Sequence, residues 1–350
     1  MLAASDPRLE AAKAWLGGFP EVQIEGLAPA SSDASFRRYF RAPVQPGGQW
    51  SDSSVILMDA PPDKEPLDAF LLTAQLFESA GVHVPRRLAV HQAEGFLLLS
   101  DLGQTPYLKA LDPHQPQAAG QLYREAWRAM VRWQSWGLQQ DSLADQLPHY
   151  SREKLLQEMQ LFEDWFVERH HQTSLTAEEK NQLSQLMDWL ASSALAQPQV
   201  LVHRDFHSRN LMVCPDQNPG VIDFQDAVIG PLSYDLVSLL RDAYLEWDEA
   251  QQLDWAIRYW QDAREAGLPI ANDFADFWRD FELMGLQRHL KVLGIFARLF
   301  HRDGKAQYLQ DLPLVMRYTR QAASRYNGCG ALLRLLDRLE QRSAQVGYTF

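Results

Sequence analysis

Cysteine is almost missing from this sequence: its 350 residues include only Cys214 and Cys329. Two cysteines exclude a disulfide framework and offer no spacing typical of a cysteine-based metal site. Long apolar runs are missing as well, because no segment approaches the roughly 18 apolar residues of a membrane-spanning helix. The first residues lack the apolar core of a signal peptide. We therefore expect a soluble, cytoplasmic protein.

Positive charge is also in short supply. The chain has 33 Lys and Arg against 45 Asp and Glu, which gives a formal net charge of -12 at pH 7. This balance disfavours nucleic acids and anionic membrane surfaces as general partners. A small-molecule site depends on a few local charges, so a small ligand stays compatible with the composition.

The apolar pattern changes along the chain and predicts two lobes. Residues 34–60 alternate apolar and polar around a Pro-Gly-Gly turn, and the strands HVPRRLAV and GFLLLS follow the helix PLDAFLLTAQLFESAG. From about residue 118 the spacing is helical, interrupted by short strands such as PQVLVH and PGVIDF. The prediction is an α+β fold with a small antiparallel-sheet lobe, 1–102, and a mostly helical lobe, 103–350.

Three polar residues have an informative spacing in QVLVHRDFHSRNLMVCPDQNPGVIDF. Asn210 follows Asp205 by five positions, between two apolar strands, and Asp223 comes 13 residues later at the end of GVID. Phosphoryl transfer needs a carboxylate to orient the attacking hydroxyl and accept its proton, and hard oxygen ligands to hold Mg²⁺ against a triphosphate. The alternative is that these residues only cap loops, which the combined spacing disfavours.

This constellation resembles the aminoglycoside phosphotransferase and choline kinase superfamily, whose members are relatives of protein kinases. The resemblance implies a bilobal protein-kinase-like fold, with nucleotide binding in the first lobe and the catalytic loop and substrate site in the second. It implies ATP and Mg²⁺ as cofactors. By the same resemblance Asp205 is the catalytic base, and Asn210 and Asp223 are the metal ligands.

Three neighbours of these residues also match the signature. The resemblance gives His203 a structural role, with its ring bonded to nearby backbone, and has Asp235 hydrogen-bond the backbone of the catalytic loop. His207 either contacts phosphate or substrate or has a packing role. Seven residues separate Asp223 from Pro231, too few for a phosphorylated activation segment, so regulation by that route is not expected.

The stretch FLLLSDLG resembles the strand and linker that receive adenine. An adenine edge offers one donor and one acceptor, which backbone groups can match without a special side chain. The resemblance points to Ser100 and Leu102 as the backbone contacts. An ordinary edge strand and turn is the alternative for this string alone.

The phosphate side departs from the kinase pattern, because the strand VILMDAPP has Met58 where a lysine is expected. The following helix has Asp68 at its beginning and Glu78 near its end, with no glutamate between them for that lysine to pair with. A buried glutamate without its lysine would cost several kcal/mol, so the joint loss is physically coherent. It indicates a rearranged site more than a decayed one.

The segment SSDASFRRYFR is the predicted compensation. Its serines, among them Ser32 and Ser35, allow phosphate to approach closely and can donate hydrogen bonds to it. An arginine of the following strand would supply the missing positive charge, and Arg38 is our choice because guanidinium suits bidentate phosphate contact. Lys64 is the second choice. The alternative is that these arginines form a solvated strand face.

At a finer level the segments SSDASFRRYFR, MDAPP, VHRDFHSRNLMV and QRHLKVLGIFARL resemble the anomeric N-acetylmuramate/N-acetylglucosamine kinases of bacterial cell-wall recycling. The resemblance implies transfer of phosphate from ATP to the C1 hydroxyl of an amino sugar. Residues 283–305 are basic within an acidic protein, and the lactyl carboxylate of N-acetylmuramate would need such a cation. The alternative is a helix whose basic residues face solvent or pair with neighbours.

Two other functions stay open from the sequence. One is a different small-molecule kinase of the same fold, such as an aminoglycoside phosphotransferase, although the last 20 residues hold three Arg against Asp337 and Glu340, a poor site for a polycation. The other is a non-catalytic nucleotide-binding pseudokinase, favoured only by the missing lysine. The predicted partner is a small amino sugar, without nucleic acid or membrane.

Overall fold

The computed structural model describes residues 6–32, 36–50 and 52–341, apart from the side chains of Ser31 and Ser32. The chain forms two compact units. The first extends to Thr105 and also includes Met212–Asp226, and the second comprises Pro106–Leu211 and the chain from Ala227 onward. The chain thus enters the first unit twice, whereas the sequence predicted one boundary after residue 102.

The first unit is built on an antiparallel sheet with the strand order β1-β2-β3-β5-β4. The predicted hairpin of 34–60 is confirmed, because β2 and β3 pair antiparallel over six residue pairs. The first strand of the sheet was not predicted. The elements of this unit are α1 (Pro7–Leu16), β1 (Ala28–Ser32), β2 (Arg38–Pro43), β3 (Ser54–Asp59), α2 (Leu67–Ser79), β4 (Arg87–His91) and β5 (Phe96–Ser100).

The helix α1 covers one face of this sheet. It begins at Pro7 because Asp6 is its N-cap, and the Asp6 carboxylate accepts a hydrogen bond of 3.0 Å from the backbone N–H of Leu9. Its apolar side packs on alternate residues of β3 and β5, among them Leu57 and Leu98. Because strand side chains alternate between faces, Met58 belongs to the other face.

The second unit is mostly helical. Its helices are α3 (Tyr107–Ala110), α4 (Pro116–Gly137), α5 (Leu143–Gln146), α6 (Arg152–Leu161), α7 (Ala177–Ala196), α8 (Tyr234–Leu240), α9 (Glu249–Glu265), α10 (Phe274–His301), α11 (Leu312–Ala323) and α12 (Gly330–Leu339). The strands β6 (Gln199–Val202) and β9 (Val228–Pro231) pair antiparallel, and the short strands β7 (Leu211–Met212) and β8 (Gly220–Val221) lie between them in the chain. In the described part of the chain, no helix combines the length and apolar character needed to cross a bilayer.

The long helix α10 packs against α6, α7, α8 and α11. It comes very close to the end of α6 at Gly294, where an added Cβ would lie 2.3 Å from the carbonyl carbon of Leu161. The α-helical turns of α6 end at Leu161, and a π-helical segment continues over Phe162–His170. A glycine is therefore required for the two backbones to come this close.

Candidate active site

The loop between β6 and β7 brings two predicted site residues of the second unit together. The Asn210 side-chain amide donates a hydrogen bond of 3.0 Å to the backbone carbonyl of Asp205. This bond orients the amide and turns its oxygen, a hard donor of the kind that Mg²⁺ prefers, away from that carbonyl. The predicted base and one predicted metal ligand are thus parts of one short, ordered loop.

Asp235 of α8 holds the start of this loop, as predicted. Its carboxylate accepts hydrogen bonds from the backbone N–H groups of His203, at 2.7 Å, and Arg204, at 2.9 Å. The prediction for His203 is also confirmed, since its ring Nδ1 accepts a hydrogen bond of 3.2 Å from the backbone N–H of Asp205. Burial raises the pKa of Asp235 to about 7, although the two N–H groups favour its ionised form.

A second buried carboxylate, Asp242, holds the far side of the loop and was not predicted. It accepts hydrogen bonds from the backbone N–H groups of Ser208, at 2.9 Å, and Tyr244, at 3.0 Å. The ring of His207 lies 5.4 Å from that of Tyr244. The backbone on both sides of Asp205 is therefore fixed by side chains from outside the loop.

A buried charge network joins α6 and α10 to the loop. Glu158 pairs with Arg204 at 2.5 Å and with Lys291 at 3.3 Å, and Lys291 donates a hydrogen bond of 3.0 Å to the hydroxyl of Tyr234. The hydroxyl of Tyr150 donates to Glu158 as well. Two cations share one carboxylate, so the network has an excess of positive charge.

That excess acts on Asp205. Burial opposes its ionisation, but the positive charges of Lys291, Arg204 and Arg288, with that of His207 when it is protonated, outweigh burial and lower the pKa of Asp205 to about 2. The carboxylate is therefore ionised at neutral pH. It can orient a hydroxyl and accept a hydrogen bond from it, which is what a base requires.

Aromatic side chains and one arginine lie beside the loop. The guanidinium of Arg209 lies 3.5 Å above the ring of Tyr244 and 5.8 Å from that of Tyr308. Phe296 of α10 contacts both rings, at 6.0 and 5.1 Å between centroids. Aromatic surface with a few polar groups is typical of small-molecule sites.

Asp223 belongs to the first unit, just after β8. Its backbone is left-handed, with φ of 65°, and its carboxylate accepts a hydrogen bond of 2.8 Å from the side chain of Gln225. A non-glycine residue in this conformation costs about 1–3 kcal/mol and is typical of functional sites. A carboxylate oxygen of Asp223 is a hard ligand of the kind that Mg²⁺ prefers, and Mg²⁺ takes only one or two protein ligands and completes its shell with phosphate and water.

The predicted phosphate-binding residues are described only in part. Ser35 lies outside the described residues, and Ser32 is described as a backbone member of β1. The structure places Arg38 on the α1 face of the sheet, where its guanidinium contacts the buried Asp59 at 2.5 Å and also contacts Asp6. Arg8 binds the other oxygen of Asp59 at 2.5 Å. This cluster of two arginines and two aspartates was not predicted.

The face of Met58 carries a different ion pair. Arg37, one residue before Arg38, contacts Glu65 at 2.7 Å, with 10% and 18% of the two side chains exposed. Lys64 is half exposed and lies 5.9 Å from the ring of Phe36. The first unit thus has an arginine–glutamate pair although the strand lysine is missing.

The residues predicted to contact adenine are held by a further ion pair that was not predicted. Arg41 of β2 binds Asp101 at 2.5 Å and the carbonyl of Gly103 at 2.8 Å. Ser100 donates its backbone N–H to the carbonyl of Arg86 at 2.9 Å. Leu102 accepts a long hydrogen bond of 3.4 Å from the thiol of Cys214. The linker conformation is therefore fixed within the first unit.

A cleft of about 860 Å³ opens elsewhere in the second unit, between the start of α9 and α11. Glu246, Glu249 and Arg317 are among its lining residues, and none of the predicted site residues lines it. It contributes nothing to the assignment of the catalytic loop.

Comparison with known proteins agrees with the predicted family. A model of the phosphotransferase enzyme family matches residues 26–275. The N-acetylmuramate/N-acetylglucosamine kinase of Neisseria meningitidis is 46% identical over 341 residues, which cover 97% of this chain and 98% of that protein. The protein of the same name from Pseudomonas aeruginosa is 44% identical over 348 residues, with the same two coverages of 97% and 98%.

Solved structures agree with the predicted fold. A choline kinase of Streptococcus pneumoniae has a TM-score of 0.62 and 10% identity, covering 90% of this chain and all of its own. An ADP-bound aminoglycoside phosphotransferase has a TM-score of 0.58 and 15% identity, covering 91% and 99%. At these identities the likeness shows the fold alone, and the predicted aminoglycoside phosphotransferase-like fold is confirmed.

Proposed function

Because the chain belongs to the phosphotransferase enzyme family, we propose that it is an ATP-dependent kinase that phosphorylates the anomeric C1 hydroxyl of N-acetylmuramate, N-acetylglucosamine or both. The observation that carries the proposal is the ordered loop in which Asp205 is ionised and Asn210 is oriented. Relatives that are 44–46% identical over almost their whole length and are named for these two sugars support the substrate. A role in cell-wall recycling in the cytoplasm, where ATP is available, follows from the proposal.

In this proposal Asp205 orients the C1 hydroxyl and accepts its proton as the hydroxyl attacks the γ-phosphorus in line. An anomeric hydroxyl is more acidic than an ordinary alcohol, so a carboxylate with a low pKa meets a smaller demand as a base. Asn210 and Asp223 would hold Mg²⁺, which neutralises charge on the transferred phosphate. Positioning and electrostatic stabilisation supply most of the rate enhancement.

The nucleotide is proposed to bind the linker and the serine-rich segment. Backbone groups of Ser100 and Leu102 would contact adenine, and Ser32, Ser35 and Arg38 would contact the phosphates. To bind phosphate, the Arg38 guanidinium would have to release at least one of its two carboxylate partners, Asp6 and Asp59. Its role in replacing the strand lysine stays a prediction.

The test is ADP release with N-acetylmuramate, N-acetylglucosamine, kanamycin and choline as separate acceptors. We expect turnover with one or both sugars, none with the two cations, and loss of activity in Asp205→Asn. Phosphorus NMR of the product should place the phosphate on C1, and 1-deoxy-N-acetylglucosamine, which lacks the anomeric hydroxyl, should not react. If only kanamycin or choline is turned over, the proposed amino-sugar substrates are refuted. If ADP is released without any acceptor, all four acceptors are refuted as substrates.

A further inference from the structure

One arginine of α10 is buried without a counter-ion. Arg288 is 4% exposed, and its Nη1 has no hydrogen-bond partner. Within the described ranges, no carboxylate lies at ion-pair distance from it. Arg241 is completely buried and its Nη1 also lacks a partner, but unlike Arg288 it has a counter-ion, Glu282 at 3.2 Å. A buried unpaired charge costs several kcal/mol in the free energy of folding. Contacts among the described residues do not compensate this cost for Arg288, so we look for a bound ligand that does.

The position of Arg288 on α10 places it beside the catalytic loop. Lys291, one turn further on, bonds to Tyr234, and Phe296, about two turns on, packs against Tyr244. These contacts put this side of α10 next to the residues that surround Asp205. The charge of Arg288 also lowers the pKa values of Asp205 and His207. The unpaired guanidinium therefore lies in the neighbourhood where an acceptor must bind.

We propose that Arg288 binds the lactyl carboxylate of N-acetylmuramate; this rests on the function proposed above and names its specificity residue. The lactyl ether is on C3, two ring atoms from C1. A sugar that presents its C1 hydroxyl to Asp205 therefore carries its carboxylate into the same neighbourhood. A planar guanidinium matches a carboxylate with two parallel hydrogen bonds.

The other cations nearby are already engaged. Lys291 pairs with Glu158 at 3.3 Å. Arg209 lies on the ring of Tyr244 at 3.5 Å and is 3.9 Å from Asp311. Arg288 has neither an ion pair nor an aromatic ring at such a distance among the described residues. It is thus the cation for which a substrate carboxylate completes the hydrogen bonding.

The test removes the charge from each side of the contact in turn. The kcat/KM values of wild type and Arg288→Gln are measured at about pH 7.5 with N-acetylmuramate, with its lactyl amide and with N-acetylglucosamine. The amide has almost the same shape without the charge. We expect wild type to prefer the acid over the amide by about 10- to 100-fold, as for a hydrogen bond to a charged group. Arg288→Gln should lose this preference, and its loss of kcat/KM with N-acetylglucosamine should be smaller than its loss with N-acetylmuramate.

Two controls separate binding from structure. Arg302→Gln removes an exposed arginine of the same basic run, whose ion-pair partner among the described residues is its neighbour Asp303, and should keep the preference for the acid. In thermal unfolding, N-acetylmuramate should stabilise wild type but not Arg288→Gln, whose own Tm should not fall, because the variant removes an unpaired buried charge. A lower Tm would instead indicate a structural role and count against the proposal.

Several results would overturn this inference. One is equal loss with all three sugars, which would mean that Arg288 acts on the phosphoryl group or on Asp205. Another is a wild type that treats acid and amide alike. A third is loss of the preference in Arg209→Gln but not in Arg288→Gln, which would assign the carboxylate to Arg209. If neither sugar is phosphorylated by wild type, the proposed function itself fails, which is a separate result.

Discussion

The carboxylate of Asp235 accepts a hydrogen bond of 2.7 Å from the backbone N–H of His203, across 32 residues of sequence. Its second oxygen accepts the N–H of Arg204, so both oxygens of one side chain are used by adjacent peptide groups. Arg204 has a left-handed backbone, with φ of 78°. Asp235 thus stabilises a conformation that the loop would not adopt by itself.

Asp235→Asn should therefore disturb the loop without changing its size. An amide has one acceptor oxygen, and its NH₂ group would face a backbone N–H where a carboxylate oxygen is now. We expect a loss of about 1–3 kcal/mol in the free energy of unfolding and a lower kcat. Urea denaturation and ADP release measure the two effects, and unchanged values in both would contradict the assigned role. Asp226→Asn, in the first unit, is the comparison variant.

Asp205→Asn should lower kcat by about 10²- to 10⁴-fold, the range for loss of a general base. The amide keeps the shape of the side chain but cannot take the proton of the acceptor hydroxyl. ATP binding, measured by calorimetry without sugar, should change little. A variant that retains more than about a tenth of the wild-type kcat would show that Asp205 is not the base.

The pH dependence of kcat/KM should show no acid limb due to Asp205 near neutrality. Its pKa is lowered to about 2, so the carboxylate is ionised above that value and loses its charge only as the pH falls through it. Of the positive charges that oppose protonation of Asp205, that of Lys291 has the largest effect. Lys291→Met removes it, so the pKa of Asp205 should rise and an acid limb should move toward higher pH. Profiles from about pH 4 to pH 8 with the neutral N-acetylglucosamine test this shift.

Lys180→Met is the matched control for that profile, because Lys180 is an exposed lysine that pairs with Glu163 on the same unit. Its profile should match that of wild type. A shift of equal size in both variants would mean that the profile reports general destabilisation.

Arg38→Ala should raise the KM for ATP or lower kcat by at least about tenfold, equivalent to about 1.4 kcal/mol, if its guanidinium binds phosphate. The variant also removes one of the two arginines of the buried Asp59. Arg8→Ala removes the other arginine and has no predicted nucleotide role, so it measures the structural part of the effect. Equal kinetic losses in the two variants would mean that Arg38 has only a structural role.

Met58→Lys should not improve activity. Met58 is fully buried, and the carboxylate of Glu65 is already paired with Arg37. The new ammonium would be desolvated without a partner, at a cost of several kcal/mol in the free energy of unfolding. ADP release and urea denaturation, with Met58→Leu as the neutral control, test this. A gain in kcat/KM would mean that the lysine site is still functional.

The sequence predicted features that neighbouring residues determine, and it missed contacts between residues that are far apart in the chain. The spacing of Asp205 and Asn210 predicted a loop that the structure describes, because a short segment between strands determines both positions. The helix in PLDAFLLTAQLFESAG was likewise predicted from local spacing, and it is α2 (Leu67–Ser79). The alternation over 34–60 likewise predicted the hairpin of β2 and β3, because strand side chains alternate between the faces of a sheet.

Charge partners could not be predicted in this way. Glu158 and Lys291 are 133 residues apart in sequence, and their contact depends on the packing of α6 on α10. The same holds for Arg8 with Asp59 and for Asp242 with the loop backbone. Arg38 was chosen for its residue type, and only the folded unit reveals the two carboxylates that it binds.

The acidity of Asp205 depends on a glycine of α10. Gly294 follows Lys291 by three positions, and Leu161 follows Glu158 by three, so the close approach of the two backbones is one turn from the ion pair that joins them. A methyl group at Gly294 would push the two helices apart and would lengthen the 3.3 Å contact of Lys291 with Glu158. Lys291, whose charge lowers the pKa of Asp205, would move together with α10. A missing carbon atom on one helix thus affects the pKa of the proposed base on a separate loop.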